Sequence, residues 1–451
     1  MRYIPNTPDD RSAMLRDIGV SSFEELLEPI PASLRLNRPL KIADGQSEWQ
    51  VRRDLTRMAE KNQNAMGHAC FMGAGSYDHY VPAAVNAIAS RSEYVTAYTP
   101  YQPEVAQGTL QVIFEFQSMI CELFGMPAAN ASMYDGGTAL SEAIAMARAH
   151  TKRQRIVWSE AVHPSYRRVA ETNNIALGMT FDVAPCPNGS QSNDTINMLL
   201  GDDVAALVVQ YPNFFGIIDD LRQLVERAHS HGTLVIFVTD PMAMGLLTPP
   251  GQLGADIVVG EGQSLGNYMS YGGPYLGLFA ASNELVRLMP GRIVGITKDV
   301  DGRRGFVLTL QTREQHIRRD KATSNICTNQ GLLATRATFY MSMLGPTGLK
   351  DIGEASARRA QYLMKKLTAV PGFSIAHKGV HFREFLLKVP GDARQFFKFM
   401  GERGILAGVP LTKFGMADER GILVALTETR TIEEMDKYIA LATDYSMGGA
   451  K

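Results

Sequence analysis

The sequence contains no apolar run near the roughly 20 residues that a membrane-spanning helix requires. Its 451 residues also carry a net charge of only −1, so the chain as a whole has no electrostatic attraction to nucleic acid or to an anionic membrane. The first residues, MRYIPNTPDDRS, lack the charged and then apolar pattern of a signal peptide. We therefore expect a protein that binds neither nucleic acid nor membrane.

Cysteine is scarce. The four cysteines, at positions 70, 121, 186 and 327, lie far apart and form no CxxC pair. This spacing argues against a disulfide framework and against a zinc site, and we expect no metal. Scattered thiols without a signal peptide fit a reducing cytoplasm, where we expect the protein to work.

What is present is the composition of a globular protein, with 45% apolar and 20% charged residues. Between about 130 and 285, strand and helix patterns alternate. Short apolar runs typical of strands buried on both faces are separated by helical periodicity; these runs are RIVW, VAALVVQYP, TLVIFVTD, ADIVVG and YLGLFAAS. The alternation predicts an α/β fold whose mostly parallel sheet has helices on both faces.

The ends of the chain have patterns of their own. VSSFEELLEPIP predicts a short helix with a capping box at Ser21 or Ser22, within an N-terminal arm over residues 1–60. Gly345, Pro346 and Gly348 interrupt two helical stretches. We therefore divide the rest of the chain into a large domain over residues 61–340 and a smaller C-terminal α/β domain over residues 341–451.

Three features of the large domain suggest a phosphate-bearing ring as ligand. Gly136 and Gly137 precede Thr138 at the start of a helix, where free N–H groups favour a phosphate. Asp240 follows a buried strand, at a position from which a carboxylate can hold a pyridinium N–H. His163 also follows a strand and could stack on the ring. Each feature also has a structural explanation. The glycines can form the tight turn of a helix cap, Asp240 can be a loop aspartate, and His163 can be a structural hydrogen-bonding residue.

Two further segments are candidates for binding. The tyrosine–proline loop, TAYTPYQPEVAQG at 96–108, contains Tyr98 and Tyr101 together with two prolines. The segment from Arg292 to Lys321 contains eight Lys or Arg and four Asp or Glu, which gives it a net charge of +4. The turn that follows, from Thr323 to Asn325, can cap the next helix or reach a phosphate. A stiff surface loop and a solvated basic face are the alternatives.

Together, the phosphate turn, stacking residue and ring carboxylate describe the fold-type-I architecture of pyridoxal-phosphate enzymes. In that class a lysine loop comes next and holds the cofactor as a Schiff base. The corresponding stretch, VVGEGQSLGNYMSYGGPYLG at 258–277, contains no lysine. Motifs for other chemistry, a Walker loop, GxSxG, HExxH or GxGxxG after a strand, are also missing from the sequence.

Several motifs resemble the glycine dehydrogenase (decarboxylating) P-protein family of the glycine cleavage system. They occur in the family's order and are YTPYQPEVAQG, NASMYDGGTALSEA, GADIVVGEGQSLG, YGGPYLG and RRDKATSNICT. The resemblance extends from the arm to the end of the chain. In many bacteria the P-protein is split, and this sequence is similar to subunit 1, the N-terminal half.

The resemblance implies a division of labour between two chains. Only the C-terminal half of the family keeps the lysine, and alignment on the Gly-Gly-Pro motif puts Gln263 at its position. Since an amide cannot form a Schiff base, the cofactor pocket at Gly136, Gly137, Thr138, His163 and Asp240 would be vestigial.

The resemblance further implies that the partner, glycine dehydrogenase subunit 2, holds pyridoxal phosphate covalently, in an α2β2 assembly. Together the subunits would decarboxylate glycine and pass the aminomethyl group to the lipoyl arm of the H-protein. Tyr98, Tyr101, Thr323 and Asn325 would then reach a catalytic site shared between the subunits. The basic residues Arg313, Arg318 and Arg319 are candidates for steering the lipoyl carrier.

Two other functions stay open. The chain could be a scaffold that stabilises or regulates the complex without contributing to catalysis. It could also be a self-sufficient decarboxylase that uses another lysine, for which Lys298 and Lys321 are nearest in sequence to the loop. Neither of these lysines follows a predicted strand.

Overall fold

The computed structural model describes residues 5–95, 97–191 and 193–448, so that Thr96, at the start of the tyrosine–proline loop, lies outside the described residues. The chain divides into two compact units, one up to Asn62 and one from Gln63 onward. In the first unit none of the described residues is buried. Its helices are α1 (Pro8–Ile18), α2 (Phe23–Leu26) and α3 (Glu48–Ala59).

The second unit contains the remaining elements. Its helices are α4 (Ala83–Ala89), α5 (Ser92–Val95), α6 (Gln107–Phe124), α7 (Gly136–Thr151), α8 (Pro164–Asn174), α9 (Asn193–Asn197), α10 (Arg222–Ser230), α11 (Gln315–Arg318), α12 (Gly331–Leu367), α13 (Ala393–Gly401) and α14 (Ile432–Ser446). Its strands are β1 (Ala69–Cys70), β2 (Ala128–Ala129), β3 (Arg155–Ser159), β4 (Thr180–Ala184), β5 (Val204–Tyr211), β6 (Leu234–Thr239), β7 (Ile257–Glu261), β8 (Gly277–Ala281), β9 (Ile293–Lys298), β10 (Arg304–Thr309), β11 (Ser374–Ile375), β12 (Glu384–Lys388), β13 (Ile405–Leu406), β14 (Val409–Pro410) and β15 (Gly421–Ala425).

A seven-stranded sheet in the order β2-β8-β7-β6-β5-β3-β4 forms the centre of this unit. The pairs from β4 through β3, β5 and β6 to β7 are parallel. Alternate residues of β5 enter different cores, with Leu207 and Val209 packed among side chains of α6, α10 and α12. Ala206 and Val208 pack with α7 on the other face. The predicted α/β fold, with helices on both faces of a mostly parallel sheet, is confirmed.

The predicted parallel pairing is wrong for one strand. β8, the run YLGLFAAS, pairs antiparallel with β7. A parallel return requires a crossover connection, usually a helix, and the segment between β7 and β8 contains none. The chain therefore turns back along the neighbouring strand, which brings the glycine-rich loop to the carboxyl end of β7.

The C-terminal region forms a second sheet, in the antiparallel order β11-β12-β15-β14, with its own apolar core. The predicted break at Gly345 is present as a kink inside α12, where φ is 59° and ψ is −175°. The last helix, α14, begins with a capping box formed by Thr431 and Glu434. The two domain boundaries after residues 60 and 340 stay predictions.

Two features were not predicted from the sequence. β9 and β10 form a separate antiparallel ribbon within the basic segment, and β4 is an edge strand of the central sheet. In the part of the chain that the structure describes, no helix is both long and apolar enough to span a membrane.

Candidate functional site

A narrow cleft lies at the carboxyl ends of β5, β6 and β7, where ligands collect in open parallel sheets. The β12 strand and a loop before α4 close it from the other side. The lining includes Tyr77, His163, Tyr166, Asp240, Glu261 and Glu384. The space left between these side chains is about 40 Å³.

The predicted phosphate turn begins α7, and two of its backbone donors, those of Gly136 and Thr138, already have partners in the chain. Asp135 caps the helix, with Oδ1 accepting from the Thr138 N–H at 2.7 Å. The Gly136 N–H donates to Oε2 of Glu261 at 3.0 Å. A side chain at position 136 would clash with Tyr166, whose hydroxyl lies 2.8 Å from where its Cβ would be. Glycine is therefore required here by close packing against a tyrosine.

Glu261 ends the buried strand β7 and also accepts N–H groups from Gln263 and Leu276, at 3.0 and 2.9 Å. Burial raises its pKa to about 8. Two carboxyl groups, those of Asp135 and Glu261, thus occupy the donor end of the helix. A phosphate placed there would lie close to the carboxyl group of Asp135, and like charges at short range are unfavourable.

Asp240 is bound within the chain. Its Oδ1 accepts from the Met242 N–H at 3.0 Å, and its Oδ2 lies 2.6 Å from Nη2 of Arg383. Arg383 is 1% exposed, and its guanidinium lies over the ring of Tyr77, 3.5 Å from the centroid. The carboxylate predicted to hold a pyridinium is thus neutralised by an arginine.

His163 stacks on a ring of the same chain. Its imidazole lies against Tyr166 with centroids 4.3 Å apart and an interplanar angle of 16°. Its Nδ1 accepts from the Ser165 N–H at 3.1 Å, which leaves Nε2–H to donate to the Ala74 carbonyl at 2.9 Å. Burial lowers the pKa of His163 to about 4, so the ring is neutral near pH 7.

Gln263 is 1% exposed and lies two residues beyond the end of β7. Its Oε1 accepts from the Tyr77 N–H at 2.9 Å. Its Nε2 donates to the carbonyls of Tyr77 and Asn267, at 3.1 and 2.8 Å. The amide therefore joins the glycine-rich loop to the loop before α4.

These residues do not fit pyridoxal phosphate within this chain. The ring position has no free stacking partner, the carboxylate is paired with Arg383, and the helix donors bind carboxyl groups. A cavity of about 40 Å³ has room for a few water molecules but not for a pyridine ring with its phosphate.

The two tyrosines predicted to be catalytic are separate from the cleft. Tyr98 is 93% exposed and Tyr101 is half-exposed, and neither lines the cleft. Tyr101 lies over the guanidinium of Arg292, 5.6 Å from the ring centroid. Both tyrosines are therefore accessible from outside the chain, as is Asn325.

Thr323 and Asn325 line a different cavity, of about 410 Å³, which they share with Thr138 of the phosphate turn. Glu142 of α7 also faces this cavity, and burial raises its pKa. The structure thus brings Thr323 and Asn325 to the outer side of α7 and keeps them out of the cleft.

The basic residues singled out in the sequence differ in whether they are free to bind a partner. The guanidinium of Arg313 donates to the carbonyls of Met289, Gly291 and Leu310, so it has a structural role, whereas Arg318 and Arg319 are exposed. Lys298 and Lys321 are exposed, and neither lines the cleft.

Sequence reasoning missed Arg383, which pairs with Asp240, and four residues that line the cleft, Tyr77, Tyr166, Glu261 and Glu384. Glu261 had a signal, since an acid at the end of an otherwise apolar strand has to find donors. Arg383 had none, because its contact with Asp240 depends on how β12 approaches the central sheet.

The fold is that of fold-type-I pyridoxal-phosphate-dependent enzymes. Similar solved structures include a sphingosine-1-phosphate lyase from Burkholderia pseudomallei, at 15% identity and a TM-score of 0.65 over 93% of this chain and 95% of that one. A glutamate decarboxylase from Lactobacillus brevis has 14% identity and a TM-score of 0.67 over 92% and 96%. At these identities the likeness concerns the fold alone.

The chain belongs to the glycine cleavage system P-protein family, whose model matches residues 1–441. A probable glycine dehydrogenase (decarboxylating) subunit 1 from Chlorobium phaeobacteroides is 48% identical, covering 97% of this chain and 98% of its own. The protein of that name from Anoxybacillus flavithermus is 46% identical and covers 99% of both. A crystal structure of an inhibitor-bound glycine decarboxylase (P-protein) has 42% identity and a TM-score of 0.89, covering 98% of this chain and all of that one.

Proposed function

We propose that this chain is the subunit of a glycine decarboxylase that carries no cofactor of its own. A partner subunit holds pyridoxal phosphate covalently, and the two work together as an α2β2 assembly in the cytoplasm. The assembly decarboxylates glycine and passes the aminomethyl group to the lipoyl arm of the H-protein. The cofactor supplies the electron sink for the loss of carbon dioxide.

The observation that carries this proposal is the state of Gln263. A buried amide with three hydrogen bonds stands in the loop where this enzyme class keeps its lysine, and an amide is not a nucleophile toward an aldehyde. The filled cleft supports the same conclusion, since the Asp240–Arg383 pair excludes a ring from this chain.

The exposed apolar surface supports a protein partner. The N-terminal unit leaves thirteen large apolar side chains exposed, among them Leu34, Leu40, Ile42 and Trp49. A surface of that kind, on a unit in which no described residue is buried, is typical of a segment that packs against another chain. The name of the relatives, subunit 1, is consistent with a second, complementary subunit.

The proposed contribution of this chain to catalysis is made by Tyr98, Tyr101, Thr323 and Asn325. The tyrosines project from a proline-stiffened loop, and the hydroxyl and amide of the other two can donate to an anionic group. At a shared site, these side chains would orient glycine and exclude water, which decarboxylation requires because the carbanion must be shielded from protons.

The test is to purify the chain with and without its partner and to measure glycine-dependent exchange of bicarbonate. We expect exchange only from the pair, with borohydride-reducible cofactor confined to the partner. Exchange by this chain alone, or a reducible adduct on it, would refute the proposal and favour a self-sufficient decarboxylase. The exposed positions of Lys298 and Lys321 argue against that alternative.

The scaffold alternative is separated by substitution at the shared site. Tyr98→Phe and Thr323→Val remove a hydroxyl each and leave the cleft intact. Under our proposal they lower turnover while the complex still assembles. If turnover is unchanged in both variants and in their combination, the chain acts as a scaffold.

A further inference from the structure

Arg292 is a buried cation without an acidic partner. It lies directly before β9 and is 3% exposed. Among the residues that the structure describes, no carboxylate forms an ion pair with its guanidinium, and its Nε–H has no hydrogen-bond partner. A buried charge is costly unless its surroundings compensate it, so the groups that do contact Arg292 indicate what the residue is for.

Those groups belong to two separate segments. One is the tyrosine–proline loop, through Tyr101. The phenol ring lies over the guanidinium at 5.6 Å, and Nη2 lies 3.5 Å from the phenol oxygen. The other is the stretch 323–330, which we call the threonine–glutamine loop. Nη1 donates to Oδ1 of Asn329 at 3.0 Å, and Nη2 donates to the carbonyl of Cys327.

The far side of this cluster is anchored to the central sheet region. The carbonyl of Arg292 accepts from the Ala131 N–H at 2.8 Å, and Nδ2 of Asn329 donates to the carbonyl of Ala131 at 2.9 Å. The Gln330 N–H donates to Oγ of Ser132 at 3.1 Å. The side chain of Arg292 thus joins two loops, while its own carbonyl and the threonine–glutamine loop bind one turn, residues 130–133.

We propose that Arg292 is a positioning residue that holds the tyrosine–proline loop and the threonine–glutamine loop in a fixed relation. The inference rests on the proposed function, in which these two loops supply Tyr98, Tyr101, Thr323 and Asn325 to a site shared with the partner. Guanidinium suits this role because its planar fork donates in two directions and stacks on an aromatic ring, which an ammonium group does not reproduce.

The first test needs only the isolated full chain. Amide hydrogen exchange followed by mass spectrometry is compared between wild type and Arg292→Gln. Because the variant loses hydrogen bonds from a charged donor, which are stronger than those from a neutral one, we expect amide exchange in both loops to accelerate about tenfold or more. Peptides from β5 and β6 should exchange as in wild type, which shows that the variant is folded.

Arg304→Gln is the matched control. The guanidinium of Arg304 lies over Phe306 at the same centroid distance, 5.6 Å, but its side chain is exposed on β10. The Arg304→Gln substitution removes the same charge and the same kind of ring contact. It should leave the rate of amide exchange in both loops unchanged. Arg292→Lys keeps the charge but loses the fork, so its exchange should lie between wild type and Arg292→Gln. Exchange in either loop no faster than in Arg304→Gln would overturn the proposal.

The second test uses the complex with the partner. Arg292→Gln should lower kcat for glycine-dependent exchange on the order of 10²-fold, as misplacement of site groups by about 1 Å can do. The KM for glycine should change much less, and the variant should still co-purify with the partner. A kcat within twofold of wild type contradicts the proposal. If the complex of the two wild-type subunits is inactive, the proposed function fails. The amide hydrogen-exchange experiment then decides the role of Arg292 by itself.

Discussion

At the scale of single residues, Arg383 is the side chain that keeps the cleft filled. It pairs with Asp240 and lies on the ring of Tyr77, and it contacts His79 and Ser264. Removing one member of such a pair leaves the other charge buried and unpaired, which costs more than the pair contributes. The Asp240–Arg383 pair therefore keeps the cleft filled even if a substitution elsewhere in the cleft introduces an amine.

The first prediction concerns Gln263→Lys. We expect this variant to fold but to bind no pyridoxal phosphate, because Arg383 and Tyr166 still occupy the space that the ring and phosphate would need. The measurement is the borohydride-reducible adduct per chain after incubation with the cofactor. The partner subunit, treated in the same way, is the positive control. An adduct at one per chain in Gln263→Lys would show that the lysine alone was missing.

The second prediction concerns the pH dependence of stability. Burial raises the pKa of Glu384 to about 7 from an ordinary 4.5, so between these values the native state keeps a proton that the unfolded state has lost. Stability from this group is fully present below pH 4.5 and is lost as the pH rises through 7. At about 1.4 kcal/mol per pH unit, the loss amounts to about 3 kcal/mol.

Glu384→Gln removes this titration and keeps the contacts, because the amide can still accept from the Ala74 N–H and donate to the hydroxyl of Tyr77. The free energy of unfolding of wild type minus that of the variant should fall by about 3 kcal/mol between pH 4.5 and 7.5. Urea denaturation at several pH values measures it. His163 is present in both proteins, so its titration cancels. Parallel pH profiles would contradict the prediction.

At the scale of elements, the continuous apolar runs were enough to predict β3, β5, β6, β7 and β8, because strands buried on both faces tolerate few polar residues. The direction of β8 was not contained in its own residues, since it depends on whether a helix returns the chain. The ribbon of β9 and β10 was missed because it is mostly half-exposed and its charges suggest a solvated helix. Contacts between distant elements, such as Arg383 with Asp240, leave no local pattern.

The third prediction concerns the kink in α12. Gly345 has φ 59° and ψ −175°, a region that is essentially restricted to glycine, and a Cβ there would meet nothing within 4 Å. Gly345→Ala should therefore destabilise the protein by about 1–3 kcal/mol through backbone strain alone. The measurement is the free energy of unfolding from urea denaturation.

Gly331→Ala, at the start of the same helix, is the control for the kink. Its Cβ would lie 3.9 Å from the side-chain nitrogen Nδ2 of Asn329, and its φ is not in the left-handed region. Alanine there should stabilise the helix by roughly 0.5–1 kcal/mol. If both variants are equally stable, the kink does not depend on glycine.

On the scale of the whole molecule, charge is distributed unevenly although the chain is nearly neutral. The segment from Arg292 to Lys321 carries a net charge of +4, but the structure divides its cations into two kinds. Arg292 and Arg313 serve internal contacts, whereas the other six are exposed, namely Lys298, Arg303, Arg304, Arg318, Arg319 and Lys321. Only the exposed group can attract an acidic partner over distance, since exposed charges act through solvent and are screened by salt.

The fourth prediction follows from that division and concerns the lipoyl carrier. Reversing Arg318 and Arg319 to glutamate in the complex should slow association with the H-protein about tenfold or more at low salt, because steering by complementary charge acts mainly on the association rate. Lys365→Glu with Lys366→Glu reverses an equally exposed pair in the last turn of α12 and should have little effect. Stopped-flow association measured across a salt series distinguishes the two. If both double variants show the wild-type salt dependence, the carrier docks without help from this basic segment.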